Sequence, residues 1–310
     1  MQPNREIVQK AHLALADLAP GGVLVTKQSN RFIKIALKQN VLSSKVRSPI
    51  MTNPQEELPK LLWTNRVLYP GTSGAALPDA WHSKPTFSKV TLTSKQFKGV
   101  VPVDREVFED QIERQGFQAT LTRFMAERVA FDLEDILING DTASADATLA
   151  VQDGVLKLIT SNVLNAGGVA LSKDVLDDLM QTLPEEFDAQ NLLFLTNRKA
   201  RSAYLRSLGN RATALGDAAV TGAASAQLGY DGVPVVKVPL FPNNLGAGST
   251  KTNVLYADPK NIVYGFQRKV TIDQEFRAVE QVFYIVVTLR NAINLEHEPA
   301  CAKATEVVGQ

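Results

Sequence analysis

Residues 104–141, DREVFEDQIERQGFQATLTRFMAERVAFDLEDILINGD, constrain what this chain can become more than any other segment. Phe117, Leu121, Phe124, Met125, Val129, Leu133, Ile136 and Leu137 recur at three- and four-residue steps, the spacing that lines one face of an α-helix. Residues 116–139 alone would make a rod of about 36 Å at ~1.5 Å per residue. Asn139 and Gly140 tolerate positive φ, which predicts that the helix stops there. Taken alone, such a helix is an ordinary core element. Its flanks give it a more specific meaning.

Those flanks carry opposite charge. Residues 1–50 hold eight Lys or Arg against Glu6 and Asp17, a net of +6, and residues 60–100 hold a net of +5. Residues 104–141 hold ten acidic residues against four arginines, so the chain's overall +1 conceals two basic extensions ahead of a rod of −6. Opposite charge on separate segments suits the docking of one copy on another. The candidate contact residues are Arg31, Lys34 and Lys38 in the first extension, and Lys84, Lys89, Lys95 and Lys98 with the apolar Trp63, Trp81 and Phe87 in the second. On the rod they are Glu106, Glu109, Asp110, Glu113, Glu127 and Glu134.

The extensions read as follows. Residues 5–18 and 30–38 suggest two short helices, neither apolar enough to form a core alone, so residues 1–50 read as an arm that packs on something else. Residues 61–69 (LLWTNRVLY) and 86–103 (TFSKVTLTSKQFKGVVPV) read as the legs of a long β-hairpin around a Pro- and Gly-rich tip. After the rod an alternating α/β region begins. Ser172 is placed to cap a helix through residue 183, with Val175, Leu176, Leu179 and Met180 facing inward. Residues 191–196, 233–240 and 253–257 read as strands, residues 197–208 as a helix, and 270–276 with 282–290 as two closing strands, the second covered on both faces.

Several kinds of chemistry are excluded. His12, His82 and His297 lie in unrelated segments, and Glu296, His297 and Glu298 read as a polar turn because neighbours on a strand point to opposite faces. Residues 245–252 (LGAGSTKT) lack the order of a phosphate loop and precede a strand, where such a loop must open a helix. Cys301, the single cysteine, has no catalytic setting and leaves no disulfide framework. The basic arm has Phe32 as its only aromatic and no nucleic-acid reading motif. No apolar run approaches a membrane span, and the first residues lack the apolar stretch of an export signal, so synthesis in a reducing cytoplasm is expected. No catalytic, cofactor or metal residue is predicted.

The order of parts then resembles a known family. Basic arm, hairpin, amphipathic rod ending in EDILINGD (134–141), the pair Gly154-Val155, LTNRKA (195–200), LGYDGVPVV (228–236) and VLYAD (254–258) before two closing strands are similar to the major capsid proteins of tailed bacteriophages. The resemblance spans nearly the whole chain. It implies an α+β, Hong Kong 97-like capsid fold: N-arm at 1–58, E-loop hairpin at 59–102, P-domain spine helix at 103–152, A-domain at 153–266, and P-domain closing strands with the C-terminal segment at 267–310.

It further implies self-assembly through hexamers and pentamers into an icosahedral shell around double-stranded phage DNA, held without sequence specificity. Assembly would take place in the host cytoplasm, with a portal and in some members a decoration protein. The first fifty residues are too short for the cleaved assembly domain of some members, so a separate scaffolding protein is implied. Some members crosslink an E-loop lysine to a neighbour's asparagine; Lys84, Lys89, Lys95 or Lys98 with Asn291 or Asn294 supply the residue types, but no motif fixes a pair. The alternatives are an encapsulin-like compartment shell loading a protein cargo and, below it, an α/β enzyme with a site around residues 197–201.

Overall fold

A computed structural model of the chain describes residues 41–310 apart from 64–65, 72, 75, 111–114, 188–190, 210–227, 247 and 310. The helices expected at 5–18 and 30–38, with Arg31, Lys34 and Lys38, lie outside the described residues.

The hairpin forms, but from different residues than its apolarity suggests. Strand β1 (Gln55–Leu62) pairs antiparallel with β2 (Thr86–Thr93) in a two-stranded sheet, so the hairpin begins before residue 59. Most of the apolar run 61–69 lies beyond the strand. Along β1, Glu56, Leu58, Lys60 and Leu62 are the less exposed positions, and Glu57, Pro59 and Leu61 face out. A ribbon with one open face takes polar residues freely, and a strand with an unpaired edge tolerates Pro59.

The returning leg is not one strand. It breaks at Ser94, where the backbone N–H donates to the Pro54 carbonyl (2.8 Å) and the hydroxyl bonds Gln267 Oε1 (3.0 Å). Beyond the break, β3 (Lys95–Asp104) joins a three-stranded sheet in the order β3, β10 (Val282–Leu295), β9 (Ile262–Arg277). The residues at the root of the hairpin, Leu58 and Leu92, pack with Met51, Val263 and Ala292.

The rod appears as α1 (Arg105–Asp110) and α2 (Gln115–Asn139). Met125 and Leu133, with Leu121 and Val129 beside them, press on Ile285, Val287 and Leu289 of the three-stranded sheet. Leu137 and Ile138 continue into a second core with Leu195, Leu255, Ala257 and Cys301, so the helix joins two sheets.

Its end differs from expectation in mechanism. Neither Asn139 nor Gly140 has positive φ. Gly140 is required by close approach instead: a Cβ there would lie 2.4 Å from the Gln152 carbonyl oxygen, and one on Gly154 would lie 2.7 Å from the Gly140 nitrogen. The two glycines meet backbone to backbone, Gly154 N–H donating to the Gly140 carbonyl at 2.8 Å.

The α/β region closes around a six-stranded mixed sheet, ordered β4-β11-β8-β5-β7-β6. Its strands are β4 (Val163–Asn165), β5 (Leu193–Thr196), β6 (Gly229–Tyr230), β7 (Val233–Lys237), β8 (Lys251–Ala257) and β11 (Cys301–Val308). A short helix, α3 (Val155–Leu158), precedes β4. The predicted Ser172 cap holds, its hydroxyl accepting from Val175 N–H at the start of α4 (Lys173–Thr182). Asn197 caps α5 (Arg198–Gly209) by accepting from Ala200 N–H (2.8 Å) and donates to the Pro242 carbonyl (3.3 Å). Residue 197 thus has a structural task where an enzymatic site was the alternative. Phe194, Val254 and Tyr256 face α4 and α5, and Leu195, Leu255 and Ala257 face the spine helix.

Strand β11 was not anticipated. Residues 301–308 do not stay with the closing strands β9 (Ile262–Arg277) and β10 (Val282–Leu295) but insert between β4 and β8. Ala302 and Ala304 have little apolar bulk to announce a strand, and their small size lets α4 pack closely over them. Strand β10 also departs from expectation. Ile285, Val287 and Leu289 are buried, whereas Tyr284, Val286, Thr288 and Arg290 on the other face are only half-buried.

Candidate assembly interfaces

The hairpin is rooted in its own subunit and uncovered beyond the root. Leu61 and Phe87 are direct cross-strand partners on the outward face, and Phe87 is 78% exposed. Trp63, Val67, Leu68 and Leu77 follow around the tip, Leu68 at 85% exposed. The tip is ordered by its own contacts. Trp63 Nε1 donates to Ser83 Oγ (2.7 Å), and Tyr69 stacks on Trp81 at 5.2 Å between ring centroids. A two-stranded ribbon is marginal in water by itself, and an apolar patch on it marks a contact surface.

Among the predicted cations, Lys84, Lys95 and Lys98 are exposed, while Lys89 is paired with Glu57 at 2.7 Å. Lys60 lies on the inner face, where burial pushes its ammonium below the usual lysine value against the raising effect of Glu296. Glu296 itself holds Arg47 at 2.8 Å.

The rod's described carboxylates separate into two groups, and the expectation that Glu134 belongs to an outward docking face is corrected. Glu134 is fully buried. Its Oε1 accepts from Val41 N–H (2.8 Å) and Leu42 N–H (3.0 Å), and its Oε2 bonds the Ser43 hydroxyl (2.9 Å), so it fastens the end of the arm to the spine helix within one chain. Glu127 is held by Arg123 (3.2 Å), Asp132 by Arg128 (2.8 Å) and Asp135 by Asn139 (2.6 Å). Asp141 accepts from Ala143 N–H and pairs with Lys157, which together keep its carboxyl below the usual range although desolvation opposes them. Glu106 remains exposed at the other end. The side chains of Glu109, Asp110 and Glu113 lie outside the described residues.

The turn at 296–298 is an internal strut. Glu298 accepts from Thr160 N–H (2.7 Å), Ser161 N–H (2.8 Å) and Ser161 Oγ (2.6 Å); these bonds lower its pKa against the opposing effect of burial. His297 packs on Phe187, and burial, followed by the charge of Lys60, lowers its pKa. Cys301 is buried, and burial pushes its thiol up to about 12, which leaves it an unreactive core residue. Among the described residues no cluster of metal-ligating side chains forms, and no helix is long and apolar enough to cross a membrane. The crosslinking candidates are occupied: Asn291 is fully buried between Gln152 and the Tyr264 hydroxyl, and Asn294 donates to the Thr91 carbonyl.

A hairpin rooted in one subunit and uncovered at its tip, carried beside a spine helix that joins two sheets, is the arrangement the resemblance implied. Residues 21–300 match the pattern of the family described as "Phage capsid family". The chain belongs to the phage capsid family. It is 31% identical to "Putative prophage capsid protein YqbE" of Bacillus subtilis (strain 168), over 98% of this chain and 99% of that one. Among solved structures it is similar to the capsid of a native GTA particle (TM-score 0.69, 16% identity, 96% and 100% of the two chains) and to Gordonia phage Cozz (0.66, 12%, 94% of each). It also resembles the SrpI encapsulin complex of Synechococcus elongatus PCC 7942 (0.62, 16%, 96% and 98%). The fold of this capsid protein is Hong Kong 97-like, and its place is that of a major capsid protein, the unit of the shell.

Proposed function

We propose that many copies of this capsid protein close into an icosahedral shell around packaged double-stranded DNA, each hairpin lying over a neighbouring subunit. The observation that carries this reading is the uncovered apolar hairpin, Leu61, Trp63, Leu68 and Phe87, on a ribbon too thin to be stable without a support. Exposed ion pairs contribute only ~0.2–1 kcal/mol each, so charge sets register while the apolar contacts hold the copies together. Assembly would take place in the host cytoplasm with a separate scaffolding protein and a portal, with decoration on the outer face as a further element of the same reading. DNA is held without sequence specificity. With Asn291 and Asn294 engaged internally, the shell is uncrosslinked, and denatured particles run as one 33.8 kDa chain.

Electron microscopy of particles from the native host, followed by extraction of nucleic acid, tests the reading. Shells holding genome-length DNA support it. The likeness to the encapsulin complex favours a second reading, a compartment shell, and particles holding one protein cargo and no DNA would establish that instead. A chain that stays monomeric would overturn both.

A further inference from the structure

The three-stranded sheet packs one face on the spine helix and gathers positive charge at one end of the other. On that second face the register places Gln96, Arg290 and Arg268 in one row and Lys98, Thr288 and Thr271 in the next. Arg290 and Arg268 are direct cross-strand partners, so their side chains leave the sheet about 5 Å apart, and Lys98 stands diagonally from Arg290 at about 7–8 Å. Like charges directly opposite one another destabilise a sheet. Lys98 and Arg268 are exposed, and Arg290 is half-buried between them.

Nothing described within the chain neutralises this charge. The Arg290 guanidinium is fixed by two neutral oxygens, Gln96 Oε1 (3.1 Å) and Gln267 Oε1 (3.4 Å), and its Nε–H has no acceptor among the described residues. Among those residues neither Arg290 nor Arg268 nor Lys98 forms an ion pair. The carboxylates of the same face, Asp273 and Glu275, stand two and three rows from Arg290, and Glu275 is held by Arg277 at 3.1 Å. The two rows contain no apolar side chain, and the Thr271 and Thr288 hydroxyls bond each other at 2.8 Å. A protein partner would need an apolar anchor there, whereas a hydrophilic anion would not. Two guanidiniums and an ammonium offer donors only, and the fork of a guanidinium matches two oxygens of a tetrahedral oxyanion. We propose that Arg268, Arg290 and Lys98 form a binding site for a phosphate group, supplied either by a free phosphate compound or by a nucleic-acid backbone. The anion would relieve the repulsion between the paired arginines, which is why the sheet tolerates them.

Melting the unassembled chain in sodium phosphate and in sodium chloride of equal ionic strength tests the site, beside a variant carrying Arg268→Gln with Lys98→Gln. In chloride the variant is expected to be no less stable than the unaltered chain, because like charge has been removed. At about 50 mM phosphate the folding equilibrium of the unaltered chain is expected to shift about tenfold further than that of the variant, as a Kd of about 5 mM requires. The general effect of phosphate on folded chains acts on both and cancels. Equal stabilisation of the two chains would overturn the proposal, and so would an equal response to glutarate, which would make this a carboxylate site. Should the double variant fail to fold, Arg268→Lys keeps the charge and loses the fork; a phosphate response about threefold weaker is expected, and an undiminished one counts against the site. Fluorescence anisotropy with a duplex of about 20 base pairs then separates the two sources. If backbone phosphates supply the group, the double variant flattens the slope of log affinity against log salt by about two; an unaltered slope assigns the site to a free phosphate compound. Because the chain is unassembled throughout, the result is independent of the shell reading.

Discussion

Replacing Glu134 with alanine removes a fully buried side chain that accepts three hydrogen bonds. Its carboxylate holds Val41 N–H, Leu42 N–H and Ser43 Oγ at 2.8–3.0 Å. Leu42 is fully buried, so its orphaned N–H bears the full desolvation cost, about 1–3 kcal/mol, while the part-buried Val41 and Ser43 recover some of theirs by rehydration. Loss of the carboxylate also relieves the cost of burying a charge, which offsets part of the damage. The expected net destabilisation is about 3 kcal/mol, and roughly half that for glutamine, which keeps one acceptor.

The consequence is local as well as global. Leu42 and Val46 enter the central core only because the turn at 42–46 is held, so its release frees the backbone around Lys45 and Arg47, whose side chains are already exposed. Urea unfolding below the assembly concentration would give the stability change, and trypsin cleavage at Lys45 and Arg47, followed by mass spectrometry, would report the turn. A change under about 0.5 kcal/mol with an unaltered cleavage pattern would refute the assignment of Glu134 as the fastening of the arm.

Other expectations follow from the same contacts. Gly154→Ala drives a Cβ to 2.7 Å from the Gly140 nitrogen, and a loss of at least ~2 kcal/mol is expected in thermal melts, since backbone on both sides cannot yield as a side chain would. Leu68→Ser with Phe87→Ser leaves the monomer's melting temperature within about 2 °C because neither side chain is covered, yet raises the assembly concentration in light scattering. His297 has a lowered pKa, so the unfolded chain binds its proton first; stability present above the unfolded value is lost as pH falls through that value towards the folded one. Glu298 acts lower on the scale, its stabilisation present above the ordinary glutamate value and lost as pH falls through its lowered one. Thermal melts from pH 7 down to about pH 3 should therefore show a first decline that His297→Gln reduces and a second, below the ordinary glutamate value, that Glu298→Gln removes.

The sequence by itself determined the elements whose apolar residues announce themselves locally. The spine helix and the capped helix after Ser172 repeat apolar residues at three- and four-residue steps, the strand at 193–196 is a short continuous apolar run, and these signals need no knowledge of neighbours. The order of these elements carried the family. Tertiary structure decided what such a signal cannot encode. Glu134 looks in sequence like any other carboxylate on an acidic helix, and only the return of residues 41–43 to its flank makes it internal. Gly140 looks like a helix stop and is instead the space into which Gly154 fits. The alanines of β11 become a strand only because β4, β8 and α4 close around them. In each case the deciding partner lies many residues away, so the physical cause is a contact rather than a pattern.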